Sequence, residues 1–552
     1  MATSWKDLLS TFDTKTSSSR QNTPDVERPL EAGNMPLCSC VILTDINILA
    51  KKFMTSKDVV IGAIDAYITA EKERGKKWML LDASSHPQGN VAFRHTGWES
   101  YAAQLSDFFV KNQIIANIHT SVFIIGGDDV IPIPRYRVMV DDAPIGFEVE
   151  MDMFYCFKPG VKVTTFLNSV KTSGPSGIGQ VLDNIQCNIG RLPLETDSMS
   201  LSFKESVVSY LKRCSDANMC IRVNNSISVS VDDWAEATDF IVNGIPSTLQ
   251  GFETSFANNR MFTVPSYDIH KQKMRSVFEI VSQKCDMALF NLHGASQSQR
   301  SQYYGDNGAE AFSPDLAEKC QAKLICSLAC YGARYTGHAM SHSILLSSIW
   351  RNCLLFIGSC QPSFFSNLRR GYCEILIKEF LLNLFKGIPA GEALLMAKIS
   401  YLLRCWSMDN FSSAYLTIGE FNIFGNPALV VKTDAINVKR FEQETNNVAL
   451  YCPNKQELLG FTNSSIAELD EVYIEVQEDV NNSIIDIEHR LSDKLCSELS
   501  MENVKLCNSL RRKNIQGVSG YKFIYTFGVN DEGVAIVKTN DSGQILDLVR
   551  TR

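Results

Sequence analysis

The sequence predicts an α/β protein built on a doubly wound, mostly parallel sheet flanked by helices, with a small β-rich module after it. Three observations carry that prediction. Short apolar runs alternate with amphipathic helical stretches along most of the chain. Several runs stop abruptly at glycines or polar residues, as buried strands do at a sheet edge. Beyond about Thr433 the composition shifts to Asn, Glu, Asp and Ser with alternating β-branched residues and turn signals. With 552 residues, 45% hydrophobic and 21% charged, the chain has the composition of an ordinary globular protein and length enough for two or three domains.

Residues 1–36 are polar and read as a flexible N-terminal segment without the apolar core of a secretory signal. The main domain is expected over 37–435, with a first half at 37–195 and a second half at 196–435. In the first half, Cys40–Thr44, Trp78–Leu81 and Ser121–Ile125 read as strands, separated by helices at Lys57–Lys72 and Gly97–Lys111. The third strand runs into Gly126-Gly127-Asp128-Asp129, a sharp exit. Asp141–Leu192 is irregular, and its Lys158–Gly179 stretch reads as a surface insertion or long hairpin. Alternation resumes with a helix at Ser202–Cys214, a strand at Ser226–Val231 and a helix at Ala235–Val242.

Two later runs matter most. Asp286–Leu292 ends in His293-Gly294, and Lys323–Leu328 ends in Ala329-Cys330-Tyr331-Gly332. The intervening stretch, with a polar loop at Ala295–Asn307 and a helix near Pro314–Cys320, has the length of one crossover, which would make the two strands neighbours. Open parallel sheets bind ligands beyond the carboxyl ends of their strands, and here two such ends deliver a Cys and a His. A thiolate attacks a carbonyl, and an imidazole moves the proton to the leaving group. Gly294 brings a backbone N–H to that place with no side chain in the way. Helices at Ser343–Arg351, Gly371–Phe385 and Ala390–Leu403, strands at Cys353–Ile357 and Phe421–Phe424, and a closing strand at Leu429–Lys432 complete the domain. The β-rich module is placed at 445–552.

Composition excludes several function classes. A net charge of −8 and the lack of a basic cluster argue against general nucleic-acid binding. No apolar stretch reaches the ~18 residues that span a bilayer, so a cytoplasmic protein is expected. The 17 cysteines are scattered and read as reduced, and Cys38-x-Cys40 has no second pair at zinc spacing. No cofactor is expected. Asp128, Asp129, Asp141, Asp142 and Asp152 offer the oxygen donors calcium takes, although acids in loops are more often simply solvated. His338 and His342 lie a turn apart with no acid between them and read as exposed or capping.

A series of motifs resembles the catalytic domain of gingipains, cysteine peptidases of the caspase-like clan. They are Phe123-Ile-Ile-Gly-Gly-Asp128 with Ile131-Pro132, Met151-Asp152-Met-Phe-Tyr155, Ile189-Gly190-Arg191-Leu192-Pro193, His293-Gly294, Ala329-Cys330, Ala397-Lys398 and Phe424-Gly425-Asn426-Pro427-Ala428-Leu429, spread over about residues 40–432. The resemblance implies a caspase-like fold, endopeptidase activity and an immunoglobulin-like module after the catalytic domain. It makes Cys330 the nucleophile, His293 the general acid/base, and the amides of Gly294 and Cys330 the oxyanion hole. It also places a substrate-selecting acid on Val231–Phe240, where Asp239, Asp232 or Asp233 would hold an Arg or Lys side chain; Asp232-Asp233 also reads as a helix cap.

The sequence departs from the family at Gln186, where an acid is usual, and at Asn426, where Gly-Asp-Pro is familiar. Expected partners are a protein or peptide substrate and a regulator, or self-cleavage at Arg20, Lys171 or Arg300, with the enzyme latent until activated. The competing reading is a catalytically silent caspase-like scaffold.

Overall fold

The computed structural model describes residues 39–85, 97–139, 146–161, 183–196, 199–243, 260–264, 267–268, 273–274, 285–297, 300–305, 310–366, 372–405, 411–432, 505–513, 521–529, 533–539 and 545–551. The chain divides into two compact units with a boundary between Ala435 and Ile436.

The larger unit is a mixed α/β body around one twelve-stranded sheet. Its strands in chain order are β1 (Ser39–Thr44), β2 (Lys77–Asp82), β3 (Ser121–Ile125), β4 (Asn188–Leu192), β5 (Ser226–Val231), β6 (Arg260–Val264), β7 (Tyr267–Asp268), β8 (Lys273–Met274), β9 (Met287–Asn291), β10 (Leu324–Ser327), β11 (Leu355–Ser359) and β12 (Phe421–Gly425). Across the sheet they run β8-β7-β6-β5-β9-β10-β11-β12-β4-β3-β1-β2. Two blocks are internally parallel, β2-β1-β3-β4 and β6-β5-β9-β10-β11. Strand β12 joins them, antiparallel to β11 and beside β4.

Every residue of β3, β4, β5, β9, β10, β11 and β12 is buried, as expected when helices cover both faces of a sheet. Among the flanking helices, Lys57–Glu73 begins at Ser56, whose hydroxyl accepts from the Val59 amide, and Ile46–Lys52 begins at Asp45, whose carboxylate accepts from Ile48.

Three of these motif segments meet at one buried ion pair. Arg191 on β4 is fully buried and grips Asp152 with two hydrogen bonds of 2.8 and 2.7 Å. Its remaining donors reach the carbonyls of Gly126 at 2.9 Å and Ile131 at 2.8 Å. Asn422, at the start of β12, accepts from the Asp152 amide and donates to the Glu150 carbonyl. These polar residues are therefore architecture, binding β3, β4 and β12 to the segment around Asp152. Gln186 has its own reason: its side-chain amide donates to the carbonyls of Phe157 at 2.9 Å and Tyr155 at 3.3 Å, which a carboxylate would repel. Asn426 likewise uses its amide group, donating to the Tyr67 hydroxyl while its oxygen accepts from Ala428.

Several expectations need correction. Leu429–Lys432 does not close the sheet: Val430–Lys432 pairs with Cys220–Arg222 in a separate two-stranded ribbon, and β12 fills the interior position. The stretch at Ala295–Asn307 is not a simple polar loop. His293–Gln297, Arg300–Tyr304 and Glu310–Phe312 form a three-stranded antiparallel sheet, with Tyr303 and Phe312 buried against Phe290 of β9. The helix expected at Ser202–Cys214 starts with a π-turn at Lys204–Val208. The extra strands β6, β7 and β8 carry no clear signal in the sequence.

In the smaller unit, Lys505–Lys513, Tyr521–Val529, Gly533–Thr539 and Ile545–Thr551 form an antiparallel meander in that order. Residues 1–36 and the 445–504 part of the expected β-rich module lie outside the described residues. Among the described residues, no helix is long and apolar enough to cross a membrane.

Candidate active site

Strand register brings the His-Gly and Ala-Cys ends together. In the parallel pair β9/β10, Phe290 stands opposite Ser327, and the Leu328 amide donates to the Phe290 carbonyl at 2.8 Å. His293 lies three residues beyond Phe290 and Cys330 three beyond Ser327, so both leave the sheet at one edge and one height. Contact is made by backbone. The Cα of Gly294 faces the Cys330 peptide so closely that a Cβ would fall 1.9 Å from the Cys330 carbonyl oxygen and 2.8 Å from its nitrogen.

Cys330 sits in a tight turn. The Gly332 amide donates to Ala329 O at 3.0 Å, and Tyr331, at i+2, has φ 54°, the left-handed region that L residues seldom enter. A Cβ on Gly332 would lie 2.4 Å from Ser327 Oγ, so glycine is required there. The segment after β11 holds this turn in place: Tyr331 and Ala333 donate to the carbonyls of Gln361 and Ser359 at 3.0 and 2.8 Å. From the same segment the Ser363 amide donates to Cys330 Sγ at 3.3 Å, and the thiol faces Ser363 O at 3.7 Å. Cys330 is only 2% exposed.

His293 is half-buried, and its ring lies against Trp234 with centroids 4.4 Å apart and planes tilted by 57°. Trp234 ends the 3-10 turn Asp232–Trp234 that follows β5, the strand on the other side of β9.

Searches for resemblance give little beyond this geometry. No protein-family model and no curated protein matches the chain. Among solved structures, the Saccharomyces cerevisiae separase–securin complex is similar at 14% identity and a TM-score of 0.27, covering 45% of this chain and 14% of that one. A second structure of that complex gives 14% identity, a TM-score of 0.27, and coverage of 44% and 14%. DsGPDH of Dunaliella salina gives 12% identity and a TM-score of 0.16, covering 58% of this chain and 62% of that one. This chain thus spans about a seventh of the separase chains it matches.

The other expected site residues are more dispersed. Asp232 and Asp233 are exposed and Asp239 is half-buried on the helix Ala235–Asn243. Of the five acids with calcium-type donors, Asp152 is taken by Arg191, Asp129 by Lys52 at 2.6 Å and Asp128 by Arg135 at 2.8 Å. Asp141 and Asp142 lie outside the described residues. Among the described residues, no group of three or more His, Cys, Asp or Glu side chains is placed to hold a metal. His338 is buried, contrary to expectation, whereas His342 is exposed. The cysteines whose side chains are described are all unbridged.

Behind the Ser359–Ser363 segment lies a titratable pair, Lys398 of the Ala397-Lys398 motif and Glu420, which no sequence pattern marks. Glu420 and Lys398 are both buried, and the Glu420 carbonyl accepts from the Cys360 amide at 3.0 Å. Burial pushes the Glu420 carboxyl well above the usual range, against the opposing pull of the Ser359 and Ser363 hydroxyls and of Lys398. Burial brings Lys398 down from 10.5 to about 8, opposed by the nearby Cys156, Asp152, Cys360 and Glu420. A lysine whose folded pKa is depressed costs stability while both states are protonated and costs none once both are neutral. Between pH 8 and 10.5 the unfolded chain binds more protons, so this lysine's contribution should raise stability with pH by about 3 kcal/mol across that window. The difference between wild type and Lys398→Met in urea unfolding at pH 8 and pH 10 reads it. An unchanged difference would show that Lys398 titrates normally.

Proposed function

We propose that this chain is a cysteine endopeptidase of the caspase-like type that works through Cys330 and His293. The observation that carries the reading is the seating of Gly294 against the Cys330 peptide, which places the His-Gly and Ala-Cys ends of two register-matched strands at one point. The motif order shared with gingipains supports it. On this reading the Cys330 thiolate attacks the scissile carbonyl carbon, and the amides of Gly294 and Cys330 receive the oxyanion. His293 donates its proton to the leaving amine as the C–N bond breaks, leaving a thioester on Cys330. Water, deprotonated by His293, then attacks the thioester, releasing the acid and restoring the thiol.

The burial of Cys330, with its sulfur against Ser363, favours a resting form that substrate must open, in keeping with a latent enzyme regulated by a protein partner or by self-cleavage. Basic specificity through Asp239, Asp232 or Asp233 belongs to the same proposal. The half-buried Asp239 is the strongest of the three, because an exposed carboxylate in water discriminates weakly.

The test is hydrolysis of fluorogenic peptides differing at the residue before the scissile bond, with Cys330→Ala and His293→Ala as controls. Turnover lost in both variants is expected, with Arg or Lys peptides preferred. Absence of turnover and of Cys330 labelling by a thiol-reactive probe, both persisting after limited tryptic cleavage that would relieve latency, would overturn the proposal in favour of a silent scaffold.

A further inference from the structure

We infer that Trp234 is a positioning residue for His293, held in place by a buried hydrogen-bond chain that returns to β9, the strand leading into the histidine. The inference rests on the endopeptidase reading and adds to it a role for the segment after β5.

Three observations converge. The indole of Trp234 is 3% exposed, and its ring packs on the half-buried imidazole at 4.4 Å, so one face of His293 rests on a rigid aromatic wall. The Trp234 carbonyl accepts from the Thr238 hydroxyl at 3.1 Å, one helical turn on. That hydroxyl also bonds Ser230 Oγ at 2.8 Å and accepts from the side-chain amide of Asn291 at 2.9 Å. Ser230, Thr238 and Asn291 are fully buried, and Asn291 stands two residues before His293, paired in register with Ser230.

The chain of contacts therefore leaves the end of β9 at Asn291, two residues before the histidine, passes through Thr238 to the Trp234 backbone, and comes back through the indole to the imidazole. Such a closed circuit fixes the ring relative to the strand end that carries it. An imidazole that must serve first as acid and then as base gains from being held in one orientation, because misplacement of a catalytic group by about 1 Å can cost on the order of 100-fold. The same segment turns Asp232 and Asp233 outward, so its inward-facing element is the indole.

Two readouts test this. In peptide hydrolysis, Trp234→Ala should lower kcat by roughly 10- to 100-fold while KM moves little, because a group acting through the general acid/base is felt in the chemical step. Trp234→Phe keeps a ring on the imidazole and should recover most of the loss. Thr238→Val should lower kcat by less, and combined with Trp234→Ala should add little, because both act on one contact.

The second readout needs no peptide turnover. The pH profile of Cys330 alkylation by iodoacetamide is compared in wild type, His293→Ala, Trp234→Ala, Trp234→Phe and Thr238→Val. Trp234→Ala should move toward the His293→Ala profile, and Trp234→Phe should stay with wild type. A His293→Ala profile distinct from wild type, with Trp234→Ala superimposed on wild type, would overturn this inference and leave the endopeptidase reading standing. A His293→Ala profile identical to wild type, with activity intact, would overturn both. Should Trp234→Ala fail to fold, Trp234→Phe and Thr238→Val carry the test, and wild-type kcat with Thr238→Val would count against the circuit.

Discussion

Replacement of Gly294 by alanine is expected to lower kcat/KM by on the order of 100- to 1000-fold, the scale of losing an oxyanion donor. The added Cβ would lie 1.9 Å from the Cys330 carbonyl oxygen and 2.8 Å from the Cys330 amide nitrogen, and all the atoms it meets are backbone. No side-chain rotation relieves such an overlap, so either the His293 strand or the Cys330 turn must move. The turn has little freedom, since Gly332, Tyr331 and Ala333 all hold it through main-chain bonds. Displacement therefore separates the two amides that would face the oxyanion. The overpacking should also cost about 1–3 kcal/mol of stability. Gly62→Ala is the natural control: nothing lies within 4 Å of its added Cβ in the exposed part of the helix Lys57–Glu73, so stability should rise by up to about 1 kcal/mol with activity intact. Near wild-type turnover by Gly294→Ala would show that the two strand ends have slack and would remove Gly294 from the site.

The second large effect is on folding. Asp152→Ala should destabilise the larger unit by about 3–5 kcal/mol, because it leaves the Arg191 guanidinium charged in a fully buried place. The carbonyls of Gly126 and Ile131 would still accept from Arg191, but among the described residues no other carboxylate is hydrogen-bonded to it. Asp152→Asn keeps one acceptor oxygen and should cost less. Replacing both partners, as in Arg191→Met with Asp152→Leu, should be milder than Asp152→Ala alone, since it removes the charge along with its counterion. Urea unfolding of the four proteins reads the order, and an Asp152→Ala protein within 1 kcal/mol of wild type would contradict the account.

What could be read in the sequence, and what could not, follows from where the information resides. Ser121–Ile125 was legible to the residue because a strand buried on both faces is a continuous run that stops where the chain leaves the sheet, and Ser226–Val231 because Ile and Val alternate with Ser at a strand's period. The meeting of the His293-Gly294 and Ala329-Cys330 strand ends was legible because each follows such an apolar run. The little sheet over 293–312 escaped because its outer positions are polar, with burial alternating along Arg300–Tyr304 and set by packing on Phe290. Trp234, Ser363 and Glu420 are marked only by three-dimensional neighbours that are distant in sequence: Trp234 meets a ring 59 positions on, and Ser363 a sulfur 33 positions back. The acidic pair Asp232-Asp233 drew attention away from the indole beside it, because charge is conspicuous in a sequence and an inward-facing ring is not.

Strand β12 has one more consequence. It is the last strand of the large sheet to appear in the sequence, yet it lies in the interior, between β11 and β4. As the chain emerges from the ribosome, Cys330 and His293 are both outside well before residues 421–425, while β11 and β4 still present unpaired edges to each other's absence. The Ser359–Ser363 turn that embraces the sulfur is anchored at Cys360 to Glu420, the residue just ahead of that same strand. Arrival of a five-residue keystone thus completes the wall of the large unit and seats the Cys330 sulfur in the same act, so on the endopeptidase reading an unfinished chain would be spared a finished thiol.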